Sequence, residues 1–223
     1  MARSPSFGAV ILAAGESSRM GTDKALLPWP PQAAGQAASP ALSKDTFLSA
    51  AIRSLALTTD FTLVVAGRNE PSLAPVAYAA GAAVVTNPDP GRGQFSSLQI
   101  GLREVLNRGR DAAVVTLVDR PPVGSATIQL LRNAFEAAPQ QTWAVVPQHS
   151  GKHGHPYIVG RELIEVFLQA APTASARDIE HDHQSHIQYV AVDDPFVAMN
   201  INTPEDYVAL LTQNPSQHSP AAQ

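Results

Sequence analysis

Phe7 to Lys24 reads FGAVILAAGESSRMGTDK, and the order of its parts decides what kind of sheet the chain can build. The run Ala9-Val10-Ile11-Leu12 is too brief and too β-branched for a helix and suits a strand buried on both faces. It breaks directly into Ala13-Ala14-Gly15-Glu16-Ser17-Ser18-Arg19-Met20-Gly21, a loop of small residues, with Lys24 just beyond. Small residues let a phosphate come close to the backbone, whose N–H groups then point at it. Arg19 and Lys24 add positive charge that peptide dipoles alone lack. The pattern predicts a strand running into an anion cradle. The bland alternative is an ordinary turn whose basic residues are solvated. Neither well-known phosphate loop fits. Gly15 and Gly21 stand one residue too far apart for a P-loop and Lys24 does not follow Gly21, while the dinucleotide fingerprint wants three glycines in tighter spacing.

The rest of the chain bounds what such a cradle can serve. At 223 residues, 44% of them hydrophobic, the chain fits one domain with a sizeable core. We expect that domain to span residues 1–212, with a flexible insertion at about 30–45 and a polar tail over 213–223. There is no cysteine, so disulfides, thiolate metal sites and cysteine nucleophiles are excluded together. The formal net charge is −4, with 15 Lys+Arg against 19 Asp+Glu, which predicts no broad basic surface for nucleic acid. The start MARSPSF lacks the apolar core of a signal peptide and no run is long enough to span a membrane; a cytoplasmic location is the expectation.

Apolar runs recur along the chain. Phe61–Ala66, Ala82–Val85, Ala112–Val118 and Trp143–Val146 read as further strands. Helical patterns fall between them at Thr46–Leu57, Pro71–Ala80, from a Ser96 cap to about Asn107, and at Gly124–Ala138. Pro30 to Lys44, PPQAAGQAASPALSK, has no apolar periodicity and reads as a surface loop, idle or a lid. Strict alternation fails in the last third: a His/Gly/Pro turn, helices near Arg161–Gln169 and Ser175–His183, and a strand at Ile187–Val192. The prediction is an α/β fold, a mostly parallel sheet with helices on both faces and an antiparallel edge. Ligands of such sheets sit beyond the carboxyl ends of the strands, so the Gly loop and Asp119 should share one rim.

Asp119 ends the fourth apolar run, directly before Arg120-Pro121-Pro122. A carboxylate there either caps the turn or holds a hard cation such as Mg²⁺, which takes one or two protein oxygens and completes its shell with phosphate and water. Asn200-Ile201-Asn202-Thr203-Pro204-Glu205-Asp206 puts two asparagines on one face of a short strand, then a capped helix start. His181, Asp182, His183 and His186 invite a zinc reading, but only His183 and His186 share a helical face, and a solvated polar surface is the better account.

The loop LAAGESSRMGTDK resembles the signature LAAGxSxRMGxxK of the MobA-like nucleotidyltransferases, which move a nucleotidyl group from an NTP to a phosphorylated acceptor. The resemblance runs from Ala9 to Leu210, interrupted by the Pro30–Lys44 segment. It implies a Rossmann-like three-layer sandwich of the nucleotide-diphospho-sugar transferase type. It implies nucleotide contacts at Leu12, Ala13, Ala14, Gly15 and Lys24, and catalytic roles for Arg19, Lys24 and Asp119. The GRGQFSSL stretch resembles the element that lies against base and ribose, implicating Gly93 and Ser97; a plain capped loop is the alternative. Asp119 and Asn202 would hold Mg²⁺. Arg120 departs from the more usual Gln or Met and would either add a cation beside the phosphates or point to solvent. Gly151-Lys152-His153-Gly154-His155-Pro156 resembles an RGHP turn facing the acceptor, with His153 where Arg is usual, so His153 and His155 become acceptor-binding candidates. Ala13-Ala14-Gly15 matches the branch that uses CTP rather than GTP on the molybdenum cofactor. The implied substrates are CTP, or another NTP, and molybdopterin, with contact to a molybdoenzyme or its chaperone. Against this stand a guanylyl enzyme, an NTP transferase acting on another small phosphorylated acceptor, and a non-catalytic NTP-binding module. A dinucleotide-dependent oxidoreductase is disfavoured, since no acid ends the second strand at Ala66-Gly67.

Overall fold

The computed structural model describes residues 4–15, 20–31, 45–171 and 173–210. Arg19, residues 32–44 of the expected insertion, and the tail beyond residue 210 lie outside the described residues. β1 (Phe7–Leu12) is buried at every position. A 3-10 turn, Lys24–Leu26, leads to β2 (Pro28–Trp29), which pairs antiparallel with β3 (Asp45–Thr46). α1 (Phe47–Ala56) follows at once, because Thr46 and Ser49 form a reciprocal capping box at its start. Next come β4 (Phe61–Ala66), α2 (Glu70–Ala79), β5 (Ala83–Thr86), α3 (Gln94–Asn107), β6 (Ala112–Leu117) and α4 (Ser125–Ala137). The last third adds β7 (Ala144–His149), β8 (Lys152–His153), β9 (Tyr157–Gly160), α5 (Arg161–Gln169), α6 (Ala176–Asp182), β10 (Ile187–Ala191) and α7 (Pro204–Ala209).

The main sheet has the order β10-β7-β9-β6-β1-β4-β5, with β8 paired to β7. β1 pairs parallel with β4 and β6, as does β4 with β5 and β10 with β7. The antiparallel component expected in the last third is β8 and β9; β9 lies between β6 and β7 and runs against both. Period-two alternation along β1 splits the core into two layers. Phe7, Ala9 and Ile11 pack with Phe47, Leu48 and Ile128, whereas Val10 and Leu12 pack with Leu98, Leu102 and Phe167. No helix among the described residues is long and apolar enough to cross a membrane.

One helix start differs from expectation. α3 begins at Gln94, two residues before the expected Ser96 cap, with Gly93 at the cap position and φ of +94°. That left-handed geometry suits glycine, and it turns the chain early. The Ser96 hydroxyl instead donates back to the Gly93 carbonyl at 2.8 Å.

α3 lies flush on the sheet because residue 101 carries no side chain: a Cβ there would stand 2.5 Å from Val10 Cγ1 and 3.1 Å from Val65 Cγ2. Gly101→Val should therefore lower unfolding free energy by about 2–3 kcal/mol through overpacking, read as a reduced urea midpoint with an unchanged m-value.

Candidate active site

Parallel pairing of β1 with β6 puts Leu12 opposite Leu117, so the chains leaving both strands emerge side by side. Val118 N–H donates to the Leu12 carbonyl at 3.1 Å and prolongs that contact past the strand ends. The loop after β1 is tied at both of its described ends by one side chain. Asn69 Nδ2 donates to the Ala13 carbonyl at 2.9 Å and to Asp23 Oδ2 at 2.6 Å, while its Oδ1 accepts from Gly67 N–H at 3.0 Å. Asn69 stands at the cap position of α2 yet makes no capping bond. Its hydrogen bonds go to the loop instead. Sequence reasoning missed this residue, and an asparagine just after a strand is too common a turn signal to reveal it.

Lys24, Asp119 and Asn202 meet at this rim. Lys24 is only 9% exposed, and its ammonium donates to Asn202 Oδ1 at 3.2 Å and lies 4.0 Å from Asp119 Oδ2. Asp119 Oδ1 is buried with no hydrogen-bond partner among the described residues. A buried carboxylate oxygen left unmatched is costly unless something else meets it. Asn202 reaches this place from far along the chain through backbone bonds. Ile201 N–H donates to the Asp119 carbonyl at 2.8 Å, and Asp206 Oδ2 accepts from Asn202 N–H at 2.8 Å and Thr203 N–H at 2.9 Å. Those two backbone donors hold the Asp206 carboxyl below its usual pKa.

Two expectations are corrected here. Asn200 and Asn202 do not lie on a strand: Met199–Asn202 forms no ladder, and the N–H groups of Ile201 and Asn202 go to the Asp119 carbonyl and the Asp206 carboxylate. Arg120 neither turns towards Lys24 and the Gly15 loop as an added cation nor points to solvent. Its Nη1 donates to the carbonyls of Met199 at 3.1 Å and Val197 at 3.4 Å, clamping the late segment beside Asp119. Burial lowers its pKa, and the Asp119 carboxylate opposes that shift.

A cavity of about 180 Å³ opens over these groups, lined by Leu12, Ala14, Gly15, Lys24, Gly93, Ser97 and Asp119 among others. Ala13 is the exception among the loop candidates. Its side chain belongs to the core, its N–H donates to the Val65 carbonyl at 2.9 Å, and its own carbonyl is held by Asn69. Ser97 is buried, and Asn87 Nδ2 donates to its hydroxyl and to that of Ser96, both at 2.9 Å. Asn87, at the end of β5, is a second positioning group that sequence reasoning left unassigned.

A larger cavity, about 470 Å³, adjoins the first and shares Leu12, Gly93, Gln94 and Leu117 with it. His153 and His155 both line it. The exposed His153 ring stacks on Tyr189, with centroids 4.0 Å apart and planes at 14°. The turn between the histidines is built against the chain before Met199. A Cβ on Gly154 would fall 2.0 Å from the Val197 carbonyl oxygen, which accepts from His155 N–H at 2.9 Å. Burial, with the Arg120 charge behind it, pushes the His155 pKa down to about 3. The ring is therefore neutral, and its Nδ1 is buried with no hydrogen-bond partner among the described residues. The histidines weighed as zinc ligands are engaged elsewhere: the His186 ring stacks on Trp143 at 3.8 Å, and His183 lies 5.3 Å from the same indole.

The His155 shift has a definite sign for stability. The unfolded chain takes up this proton below the ordinary value of 6.5, the folded chain only near 3, so stability is lost as pH falls through that window. His155→Gln should flatten the fall in urea midpoint between about pH 7 and pH 5 relative to the wild type. Equal slopes for the two proteins would remove His155 as the cause.

The profile of the MobA-like NTP transferase domain matches residues 9–188. The chain is 25% identical over 202 residues to the molybdenum cofactor cytidylyltransferase of Escherichia coli K12, covering 89% of this chain and 92% of that protein. It is 30% identical over 209 residues to the molybdenum cofactor guanylyltransferase of Xanthomonas euvesicatoria pv. vesicatoria, covering 92% and 95%. Among solved structures, Rv0371c from Mycobacterium tuberculosis H37Rv superposes with a TM-score of 0.75 at 25% identity, covering 95% of this chain and 100% of that one. Its complex with manganese gives 0.68 at 22% identity, covering 93% and 98%. The chain belongs to the MobA-like NTP transferase family and is a nucleotidyltransferase.

Proposed function

We propose that this enzyme transfers CMP from CTP to the phosphate of molybdopterin and releases pyrophosphate. The observation that carries the reading is the meeting of Lys24, Asp119 and Asn202 at the rim beside the Gly15 loop, with one Asp119 oxygen left unmatched. An acceptor phosphate oxygen attacks the α-phosphorus of the NTP; the new P–O bond forms as the bond to the β-phosphate bridging oxygen breaks. Negative charge grows on the departing pyrophosphate. The Lys24 ammonium, mostly shielded from water, offsets that charge without having to reorganise. No covalent enzyme intermediate is required.

A divalent cation suits the donors at hand. The free Asp119 oxygen and the Asn202 amide oxygen, which keeps a second lone pair beyond its bond to Lys24, are hard ligands of the kind Mg²⁺ prefers. Two protein oxygens with the remainder from phosphate and water is the usual magnesium arrangement, and the related mycobacterial protein has been solved in complex with manganese. When bound, the ion supplies neutralisation of the triphosphate charge.

The choice of CTP rests on Ala14. Ala14 borders the small cavity and is pressed against Gly67, where a Cβ would stand 2.8 Å from the Ala14 carbonyl oxygen and 3.3 Å from its methyl. With the loop held by this contact, the methyl narrows the space for a base and favours a pyrimidine over a purine. The relatives include enzymes of both base classes, so the base is the part of the proposal to test first.

Pyrophosphate release should require both an NTP and molybdopterin, and should be faster with CTP than with GTP. Ala14→Gly should shift that ratio towards GTP; an unchanged ratio would end the argument from cavity width. Lys24→Ala should lower kcat/KM by the equivalent of about 2–4 kcal/mol, and Asp119→Ala should abolish the dependence of rate on added Mg²⁺ along with most turnover. Tight CTP binding without pyrophosphate release would instead mark a non-catalytic module.

A further inference from the structure

The larger cavity holds a charged group that the proposed reaction does not use. Glu180, on α6, lines it and does not line the adjoining pocket of Lys24 and Asp119. Phe95, Leu98, Val146 and Tyr157 line the same cavity, whose surface is more apolar than polar, and Glu180 also borders a polar cavity with His153, Arg177 and His181. Glu180 is half-buried and its carboxyl has neither an ion pair nor a hydrogen bond among the described residues. Arg177, one turn earlier and bordering the same cavity, does not pair with it. Burial accordingly raises the Glu180 pKa to about 7. Tyr157, Ser175 and Arg177 border the same cavity, but none of them is bonded to this carboxyl among the described residues, which leaves both of its oxygens for the donors of a ligand.

We propose that Glu180 recognises the ring of the acceptor, accepting paired N–H bonds from the amino-pyrimidinone edge of a pterin lying in the larger cavity. This rests on the nucleotidyltransferase reading for the orientation of the acceptor. Its phosphate must reach the end of the cavity beside Asp119, which leaves the flat ring to extend towards α6. A pterin offers an exocyclic amino group and an adjacent ring N–H, spaced to meet the two oxygens of one carboxylate. Its faces are aromatic and match the Phe95 and Tyr157 walls. A cytosine base also carries an amino group, so the same carboxylate could in chemistry serve the nucleotide, and the test has to separate the two ligands.

Fluorescence titration with 6-hydroxymethylpterin needs neither nucleotide nor turnover. The wild type should bind it saturably, and Glu180→Gln, which keeps the shape but loses the charge, should bind at least tenfold more weakly. In steady state, Glu180→Gln should raise KM for molybdopterin by a similar factor, with KM for CTP and kcat within about twofold of wild type. Glu180→Asp should recover part of the loss. The melting temperature of Glu180→Gln should not fall, since the group it removes is unpaired. No saturable pterin binding by the wild type, or equal binding by both proteins, overturns the assignment. A rise in KM for CTP alone would move Glu180 to the nucleotide and likewise overturn it. Failure of wild-type pyrophosphate release would count against the proposed reaction, whereas the pterin titration stands apart from it.

Discussion

An ammonium group taken out of water has to be met by oxygen, and that requirement organises the rim of this molecule. Lys24 is buried to within 9% of full enclosure, and oxygens of Asn202 and Asp119, far apart in the chain, are among those that meet it. Withdrawing a charge from water costs several kcal/mol, while one hydrogen bond to a charged group returns about 1.5–3 kcal/mol. No single partner offsets the loss. The site is stable only if several segments arrive together, which is why so much of the local structure is devoted to fixing their backbones: Asn69 on the first loop, Arg120 and the Asp119 carbonyl on the late segment, Asp206 on Asn202 itself.

The sheet and the site were legible to different degrees, for physical reasons. Buried parallel strands read as continuous apolar runs, so β1, β4, β5 and β6 could be placed from their letters alone, and their parallel order put the Gly loop and Asp119 on a common rim. The late asparagine could be joined to that rim only through a family resemblance, because nothing in local pattern says where a segment two hundred residues along will dock. Arg120, Asn69 and Asn87 were misread or passed over for one shared reason. Their partners are mostly backbone groups and side-chain oxygens of other segments, whose position is known only after folding. The Ser96 cap failed differently: the letter was a good one, but a glycine able to take a positive φ stood three residues earlier and the helix started there.

The two cavities differ in character in a way that fits a two-substrate reaction. The smaller carries Lys24, Asp119 and Ser97 among small and aliphatic residues; the larger is more apolar, with Phe95, Leu98, Val146 and Tyr157 on its walls beside Arg177, Glu180 and the two histidines. Their shared border, Leu12, Gly93, Gln94 and Leu117, sits at the carboxyl ends of β1 and β6 and the start of α3. On the proposed reading the bond exchange takes place at this border. The tolerance for movement there is small, since misplacement by about an ångström costs orders of magnitude in rate.

The Val197 carbonyl links the two sides. It accepts from His155 N–H in the turn bordering the larger cavity and from Arg120 Nη1 beside Asp119, and Gly154 is packed against it so closely that no side chain would fit. One oxygen thus serves as a common hinge pin for both walls. Any ligand that draws the histidine turn inward also pulls on the strap carrying Asn202. Such a coupling is reciprocal by thermodynamic necessity: whatever factor the first guest imposes on the second guest's affinity, the second imposes on the first.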